Sequence, residues 1–246
     1  MSAQISNKNG SRNKGHGRPL LSISANTIFL ACNFGNKRVK SHFDGLKQIW
    51  EKTFPVRVYL SDKVTAGGAR DLWQDITHTI EEANLAIFDV TSFRPNVILE
   101  LGFALAHKQA SKIIICRDLT PGGRTSPEQK DWIMSDISHL YRIEYKSFES
   151  LDKQLLQHVE RMAPVKKFYS FMKEIEHKDS LTARAYIAEA LGILIELRDT
   201  GPISRQEFKS RFENRGIDAK RIGNLLKRFG LAAPVSGRNG CWMLID

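Results

Sequence analysis

A chain of 246 residues with 41% hydrophobic and 26% charged side chains is long enough for one large folded unit or two unequal ones, and its composition excludes a disordered or collagen-like polymer. No apolar run approaches the roughly 18 to 20 residues needed to cross a bilayer, and no charged start followed by an apolar stretch marks a leader, so a cytoplasmic protein without membrane contact is expected. The formal net charge of +10 favours a polyanionic partner, while the three distant cysteines, Cys32, Cys116 and Cys241, lack CxxC or Cys/His spacing and read as reduced thiols rather than metal ligands.

Residues 1–23 contain Lys8, Arg12, Lys14 and Arg18, several glycines and few apolar side chains, a composition that cannot offset the entropy of ordering and that predicts a basic tail. From Thr27 the pattern changes to apolar strands alternating with helix-length segments. Strands are predicted at Ile28–Cys32, Val56–Leu60, Leu85–Val90, Lys112–Cys116 and Tyr141–Tyr145. Helices are predicted through Phe43, Leu46, Ile49 and Trp50, over Arg70–Ala83, and after Asn96. This alternation predicts an α/β domain over residues 24–163, with a parallel sheet covered by helices on both faces in a flavodoxin-like (Rossmann-like) order.

A helix after Ser150 is expected to end near Pro164. Phe168, Phe171, Met172 and Ile175 then fall at i, i+3, i+4 and i+7, which predicts an amphipathic connecting helix over residues 164–180. Residues 181–246 follow with a helix over Leu181–Arg198, a turn at Thr200-Gly-Pro202, a helix after Ser204 and a third helix after Gly216. Two short strands, Ala232–Val235 and Cys241–Ile245, flank the hairpin turn Gly237-Arg-Asn-Gly240. Three helices followed by a hairpin read as a winged helix-turn-helix domain.

The predicted recognition helix, Asp218–Phe229, puts Ile222, Leu225, Leu226 and Phe229 on one face and Lys220, Arg221, Asn224, Lys227 and Arg228 on the other, with Arg238 on the wing. From Leu181 onward eleven Lys and Arg face seven Asp and Glu. Lys and Arg would supply salt-dependent phosphate contacts, and Asn224 and Arg221 suit base edges, so a nucleic-acid partner is expected; docking of protein is the alternative use of such a domain.

The segment Asp89-Val-Thr-Ser-Phe-Arg-Pro-Asn96-Val-Ile-Leu-Glu100-Leu-Gly102 carries an apolar strand through a short polar loop directly into a helix. Pro95 or Asn96 starts that helix, so Glu100 belongs to its opening turns. The free amides and positive dipole end there favour an ionised carboxylate and a neighbouring phosphate or sugar oxygen, at the sheet edge where such folds bind nucleotides. Val64-Thr-Ala-Gly67-Gly68-Ala-Arg70 leads into another helix, where glycine amides and Arg70 would meet a phosphate if the loop is more than a connection.

The same segment resembles the superfamily that joins the nucleoside 2-deoxyribosyltransferases to the TIR-like nucleotide-binding domains, whose members often read Pro-Asn-Val-x-x-Glu-Leu-Gly after a strand-end Asp and a polar loop. Ile28-Phe-Leu-Ala-Cys-Asn-Phe34 is similar to that family's first strand and loop, and Ser135-Asp-Ile-Ser-His-Leu-Tyr-Arg-Ile-Glu-Tyr145 to its last-strand approach. The resemblance spans Ser24 to Arg161. It implies that Glu100 is the nucleophile at the anomeric carbon and that Asp89 orients sugar or base. It also places Phe29 and Asn33 against the substrate, with Phe29 where the transferases often carry tyrosine.

Cleaving an N-glycosidic bond passes through an oxocarbenium-like state, which the Glu100 carboxylate can stabilise or capture, while Asp89 would hydrogen-bond ribose hydroxyls and Asn96 position base or phosphate. No evident general acid accompanies them, which favours a leaving group that needs no proton, such as the nicotinamide of NAD. No cofactor is expected; NAD enters only as a candidate substrate.

The expected protein is therefore an N-glycosidase acting on NAD or a related nucleotide, joined to a nucleic-acid-binding domain in a homo-oligomer or larger complex. In architecture it resembles accessory proteins of bacterial retron defence systems, held by a reverse transcriptase and its RNA–DNA product. The alternative is a non-enzymatic nucleotide sensor built on the plan of the CRISPR-associated ligand-binding regulators, in which Glu100 only contacts ligand.

Overall fold

The computed structural model describes residues 26–63, 69–91, 93–120, 142–178, 182–235 and 240–245, with the backbone alone for Lys63, Ala69, Arg70, Asp71 and Lys178. The expectations for the basic tail, for Gly67 and Gly68, for Ser135–Tyr141 and for Arg238 lie outside the described residues.

Five strands, β1 (Thr27–Ala31), β2 (Arg57–Leu60), β3 (Leu85–Asp89), β4 (Ile113–Asp118) and β5 (Arg142–Tyr145), form a wholly parallel sheet in the order β2-β1-β3-β4-β5. This is the flavodoxin-like order expected from the sequence. β1 and β3 are buried at every position, as continuous apolar strands covered on both faces must be. Successive side chains go to opposite faces. Ile28, Leu30, Ile87, Ile114 and Cys116 meet helices α1 (Lys37–Thr53) and α4 (Phe148–Val159), whereas Phe29, Ala31, Phe88, Val90 and Ile115 meet α2 (Ala69–Glu82) and α3 (Pro95–His107).

Local signals explain the helix starts. The Asn36 side chain accepts from the amides of Arg38 and Val39 at α1, and Ser147 accepts from Ser150 at α4. The start of α3 is different: Arg94 is its N-cap with no side-chain hydrogen bond, and Pro95 is the first helical residue. Just before it, Phe93 has φ 45°, a left-handed conformation that a bulky side chain adopts only under constraint. Here the Phe93 amide donates to the Val90 carbonyl at 3.1 Å, and its ring packs on the α2/α3 core.

β2 is an edge strand, and the outward amide and carbonyl of Val58 are covered. The Val58 amide donates to Glu51 Oε1 at 2.8 Å, and Lys47 Nζ donates to the Val58 carbonyl at 2.5 Å. Such covering removes the template that an open edge offers to another strand.

Helix α5 (Ala163–Lys178) takes Pro164 into its first turn, where a missing N–H costs nothing, so the break between α4 and α5 falls at Glu160–Met162. The remaining elements are α6 (Ala183–Thr200), β6 (Ile203–Ser204), α7 (Arg205–Glu213), α8 (Ala219–Arg228), β7 (Ala232–Pro234) and β8 (Cys241–Leu244). The three strands make an antiparallel sheet in the order β6-β8-β7. Ser204 caps α7 and Asp218 caps α8. A third core joins Phe168, Phe171 and Ile175 of α5 to Ile193, Leu194, Phe212, Ile222, Leu226 and Trp242. Gly223 is required where α8 crosses β8, since a Cβ there would stand 2.9 Å from the Trp242 ring.

Candidate active site

The chain leaves β1 toward α1 on one face of the sheet and leaves β3 toward α3 on the other, so the two loops diverge at the carboxyl edge and open a crevice between neighbouring strands. A cavity of about 270 Å³ lies there. It is walled by Cys32, Asn33, Phe34 and Gly35 after β1, Ser61 and Asp62 after β2, Leu72 and Ile76 of α2, and Arg94, Asn96, Val97 and Glu100 at the start of α3. That volume is near the lower end for ligand pockets.

Glu100 is 4% exposed. The Ser61 hydroxyl stands by its carboxyl and favours the charged form, while Oε2 is buried with no hydrogen-bond partner among the described residues. Burial raises its pKa from 4.5 to about 7, and the Ser61 hydroxyl only partly opposes this. The sequence-based expectation that the helix start favours the charged form is thus corrected. The helix start at Pro95 lies five residues away, and burial in a wall shared with Val97, Leu72 and Ile76 is the larger effect.

Asp89 sits at the end of β3 but does not line the cavity. It is 1% exposed; Oδ2 accepts from the Tyr145 hydroxyl at 2.7 Å and Oδ1 from the Thr91 amide at 3.1 Å. Burial lifts its pKa to about 6 against those two hydrogen bonds. The links continue along the sheet edge. The Asp118 amide donates to Thr91 Oγ1 at 2.8 Å, Arg38 Nε to Asp118 Oδ2 at 2.9 Å, and Arg38 Nη2 to the Lys146 carbonyl at 2.5 Å. Burial acts to raise the pKa of Asp118, but the hydrogen bonds from Thr120 and the Arg38 guanidinium prevail and hold it below its ordinary value. In this arrangement Asp89 fixes the loop that carries Arg94 and Asn96, and it has no oxygen turned to the cavity.

Asn33 and Asn96 reach the cavity wall, and the Asn33 side chain is oriented by the Gly35 amide at 3.0 Å. Phe29 does not. It is fully buried against Phe88, at a ring separation of 5.9 Å, because its position in β1 faces the α2/α3 layer. Arg70 lies in α2, and nothing of its side chain is described. Ser61, Asp62, Cys32 and Arg94 line the cavity although they were not singled out in the sequence. Ser61 and Asp62 directly follow β2, and the carboxyl edge of a parallel strand is the signal that points to them. Cys32 is 1% exposed, and burial, followed by the charges of Asp89 and Asp62, pushes its thiol well above the ordinary range, so it is a poor nucleophile. Among the described residues no group of three or more His, Cys, Asp or Glu could hold a metal ion.

On α8, Lys220, Asn224, Lys227 and Arg228 are exposed. The Arg221 guanidinium lies over the Tyr186 ring at 5.4 Å, and Arg228 pairs with Glu174 at 3.4 Å and covers Phe229 at 5.6 Å. A cavity of about 310 Å³ beside α8 is lined in part by Lys220, Asn224, Arg205 and Lys209. No helix among the described residues is long and apolar enough to cross a membrane.

No protein-family model matches the chain, and no curated protein matches it. Among solved structures it is similar to the CMP N-glycosidase BcmB of Clostridium botulinum, at 17% identity and a TM-score of 0.40, over 54% of this chain and 98% of that one. A likeness of this degree leaves the functional reading to the site's own geometry.

Proposed function

We propose that the protein is a nucleotide N-glycosidase whose reaction is carried by Glu100, with NAD or a related nucleotide as substrate. The observation that carries this reading is the buried Glu100 carboxyl, with Oε2 unpartnered among the described residues, in the wall of a cavity at the β1/β3 switch point. Leaving a buried acceptor without a partner costs about 1 to 3 kcal/mol, a cost that persists where the group is needed for a ligand.

In the proposed step a Glu100 oxygen attacks C1′ as the C1′–N bond breaks, and the base departs with the bonding electron pair. The glycosyl ester is then opened by water, which gives its hydroxyl to C1′ and its proton to the carboxylate. Ser61 holds the carboxyl in place. Asn33 and Asn96 are set to meet hydroxyls or the base edge, and Arg94 stands at the α3 start to meet an anionic group. Asp89 acts through the backbone of the Thr91–Arg94 loop rather than on the sugar.

We further propose that residues 181–246 work as a winged helix on nucleic acid, with α8 as the recognition helix. Its order of elements and its exposed Lys220, Asn224 and Lys227 support this. A defence setting with a reverse transcriptase and its RNA–DNA product belongs to the same proposal through its architecture. The sensor reading is favoured by one feature, the arginine pair Arg57 and Arg198 that ties α6 to the strand leading to Ser61.

Incubating the purified protein with NAD and with nucleosides and nucleotides, and separating free base by chromatography, tests the reading. Base release by the parent and at least about a hundredfold loss in Glu100→Gln, with an unchanged circular dichroism spectrum, is the expected result. Equal release by both proteins sinks the assignment. Ligand binding without any release, and with Glu100→Gln binding as well as the parent, favours the sensor.

A further inference from the structure

We infer that the cavity selects N-glycosides whose base already carries a positive charge, so that N7-alkylated purine nucleotides are substrates beside N-alkylpyridinium ones, with Glu100 as the counter-charge. This rests on the N-glycosidase reading.

The lining has a charge pattern opposite to that of the protein. In a chain of net charge +10, the described lining residues include two carboxyls, Glu100 and Asp62, and a single cation, Arg94. Arg94 is exposed at the N-cap of α3, whereas Glu100 lies one and a half turns inside. Asp62 has Lys40 at 3.9 Å. Among the described residues the Ser61 hydroxyl is the one group that favours the charged form of Glu100, and no neighbouring charge contributes. A buried carboxyl facing a cavity whose one described cation, Arg94, is exposed at the helix start is complementary to a cation that arrives with the ligand.

Proton economy leads to the same class. A neutral purine leaves well only when protonated, and Glu100 cannot in one step give a proton to the base and attack the sugar. With an N7-alkylpurine or a pyridinium no proton is required. The C1′–N bond breaks, its electron pair cancels the charge of the ring, and a Glu100 carboxylate oxygen bonds to C1′. Water then opens the ester. The products are a neutral base, the free sugar phosphate and a protonated Glu100, which loses its proton to solvent before the next cation is bound.

The test uses 7-methylguanosine 5′-monophosphate and guanosine 5′-monophosphate, which differ by the methyl group and its charge. Binding is measured by calorimetry and base release by chromatography, on the full chain and on Glu100→Gln. Because a nearby opposite charge moves a carboxyl by about one to three pKa units, the methylated nucleotide should bind the parent about tenfold or more tightly than the neutral one. That ratio should fall to near one in Glu100→Gln, and 7-methylguanine should be released faster than guanine. A parent ratio near one, a ratio that survives in the variant, or no binding of either nucleotide overturns the inference. The parent ratio is decisive by itself if the variant does not fold. Equal release from both nucleotides overturns the inference and leaves the glycosidase reading standing. A Glu100-dependent preference in binding with no release from either nucleotide has the opposite meaning: the selection holds and the glycosidase reading fails.

Discussion

The proton on Glu100 decides stability as well as chemistry. Its pKa is 4.5 in the unfolded chain and about 7 in the fold, so the folded state binds the proton more tightly. Its contribution is therefore neutral below 4.5, becomes destabilising as pH rises from 4.5 to 7, and is fully unfavourable above that. At about 1.4 kcal/mol per pH unit the cost reaches about 3 kcal/mol. Glu100→Gln, which keeps the shape and removes the charge, should raise the melting temperature at pH 8 and change it little at pH 4.5. A gain of equal size at both pH values would show that the effect is not ionisation. Tyr145→Phe removes the donor to Asp89 Oδ2 and should cost about 1 to 3 kcal/mol in denaturant unfolding. It should also slow base release by loosening the loop before α3 rather than by touching substrate, so KM is expected to rise more than kcat falls. Unchanged stability with lost kcat would instead make Asp89 a direct participant. The location of Glu100 was legible in the sequence because a proline-started helix after an apolar strand fixes where its opening turns lie. Its protonation was not, because that depends on Ser61, Leu72 and Ile76, which are close to it only after folding. Phe29 misled for a related reason: strand alternation fixes that β1 side chains take two faces, but not which face meets the crevice.

Periodicity carried most of the elements. Alternating strands and helices gave the parallel sheet, and Ile222, Leu225 and Leu226 fell on the buried side of α8 as their spacing requires. β6 had no such signal, since Ile203–Ser204 is a strand only by pairing with Trp242 and Cys241. The basic face of α8 was also legible as a set of residues, but not in its division of labour. Arg221 and Arg228 already contact Tyr186, Glu174 and Phe229, whereas Lys220 and Lys227 are exposed. The double substitution of Lys220 and Lys227 by Ala should accordingly reduce the slope of log affinity against log salt by about 0.9 for each lost duplex phosphate contact, with a smaller change for Arg228→Ala. Filter binding across a salt series reads this. An unchanged slope in the double variant would move the nucleic-acid surface off α8 and make protein docking the better use of the helix.

At the scale of the whole molecule the α1/α4 core and the α6–α8 core are joined at two places. Helix α5 gives Val165 to the core under α1 and α4, and Phe168, Phe171 and Ile175 to the core of α6, α7 and α8. The second joint is polar. Arg198, near the end of α6 and with a side chain only 6% exposed, donates to the carbonyls of Glu51 at 3.1 Å and Val56 at 2.5 Å, while Arg57 donates to the Arg198 carbonyl. Asp199 pairs with Arg198 at 2.8 Å and faces Arg57 at 3.5 Å. Removing the Arg198 side chain leaves the two carbonyls without that donor, at about 1 to 3 kcal/mol each if water does not replace it. Two cores sharing a helix and a buried guanidinium should unfold together, so calorimetry is expected to show one transition in the parent, coincident with the fluorescence of the chain's four tryptophans. In Arg198→Ala helix α5 and the Arg57 contacts to the residue-198 carbonyl and Asp199 remain but the buried guanidinium is gone, so the transition should broaden or split, with the α6–α8 core melting first because it is smaller than the two cores of the sheet together. Two transitions already present in the parent would mean that α5 and the arginine pair do not couple the cores, and would remove the physical route by which anything bound to α8 is felt at Ser61 and Glu100.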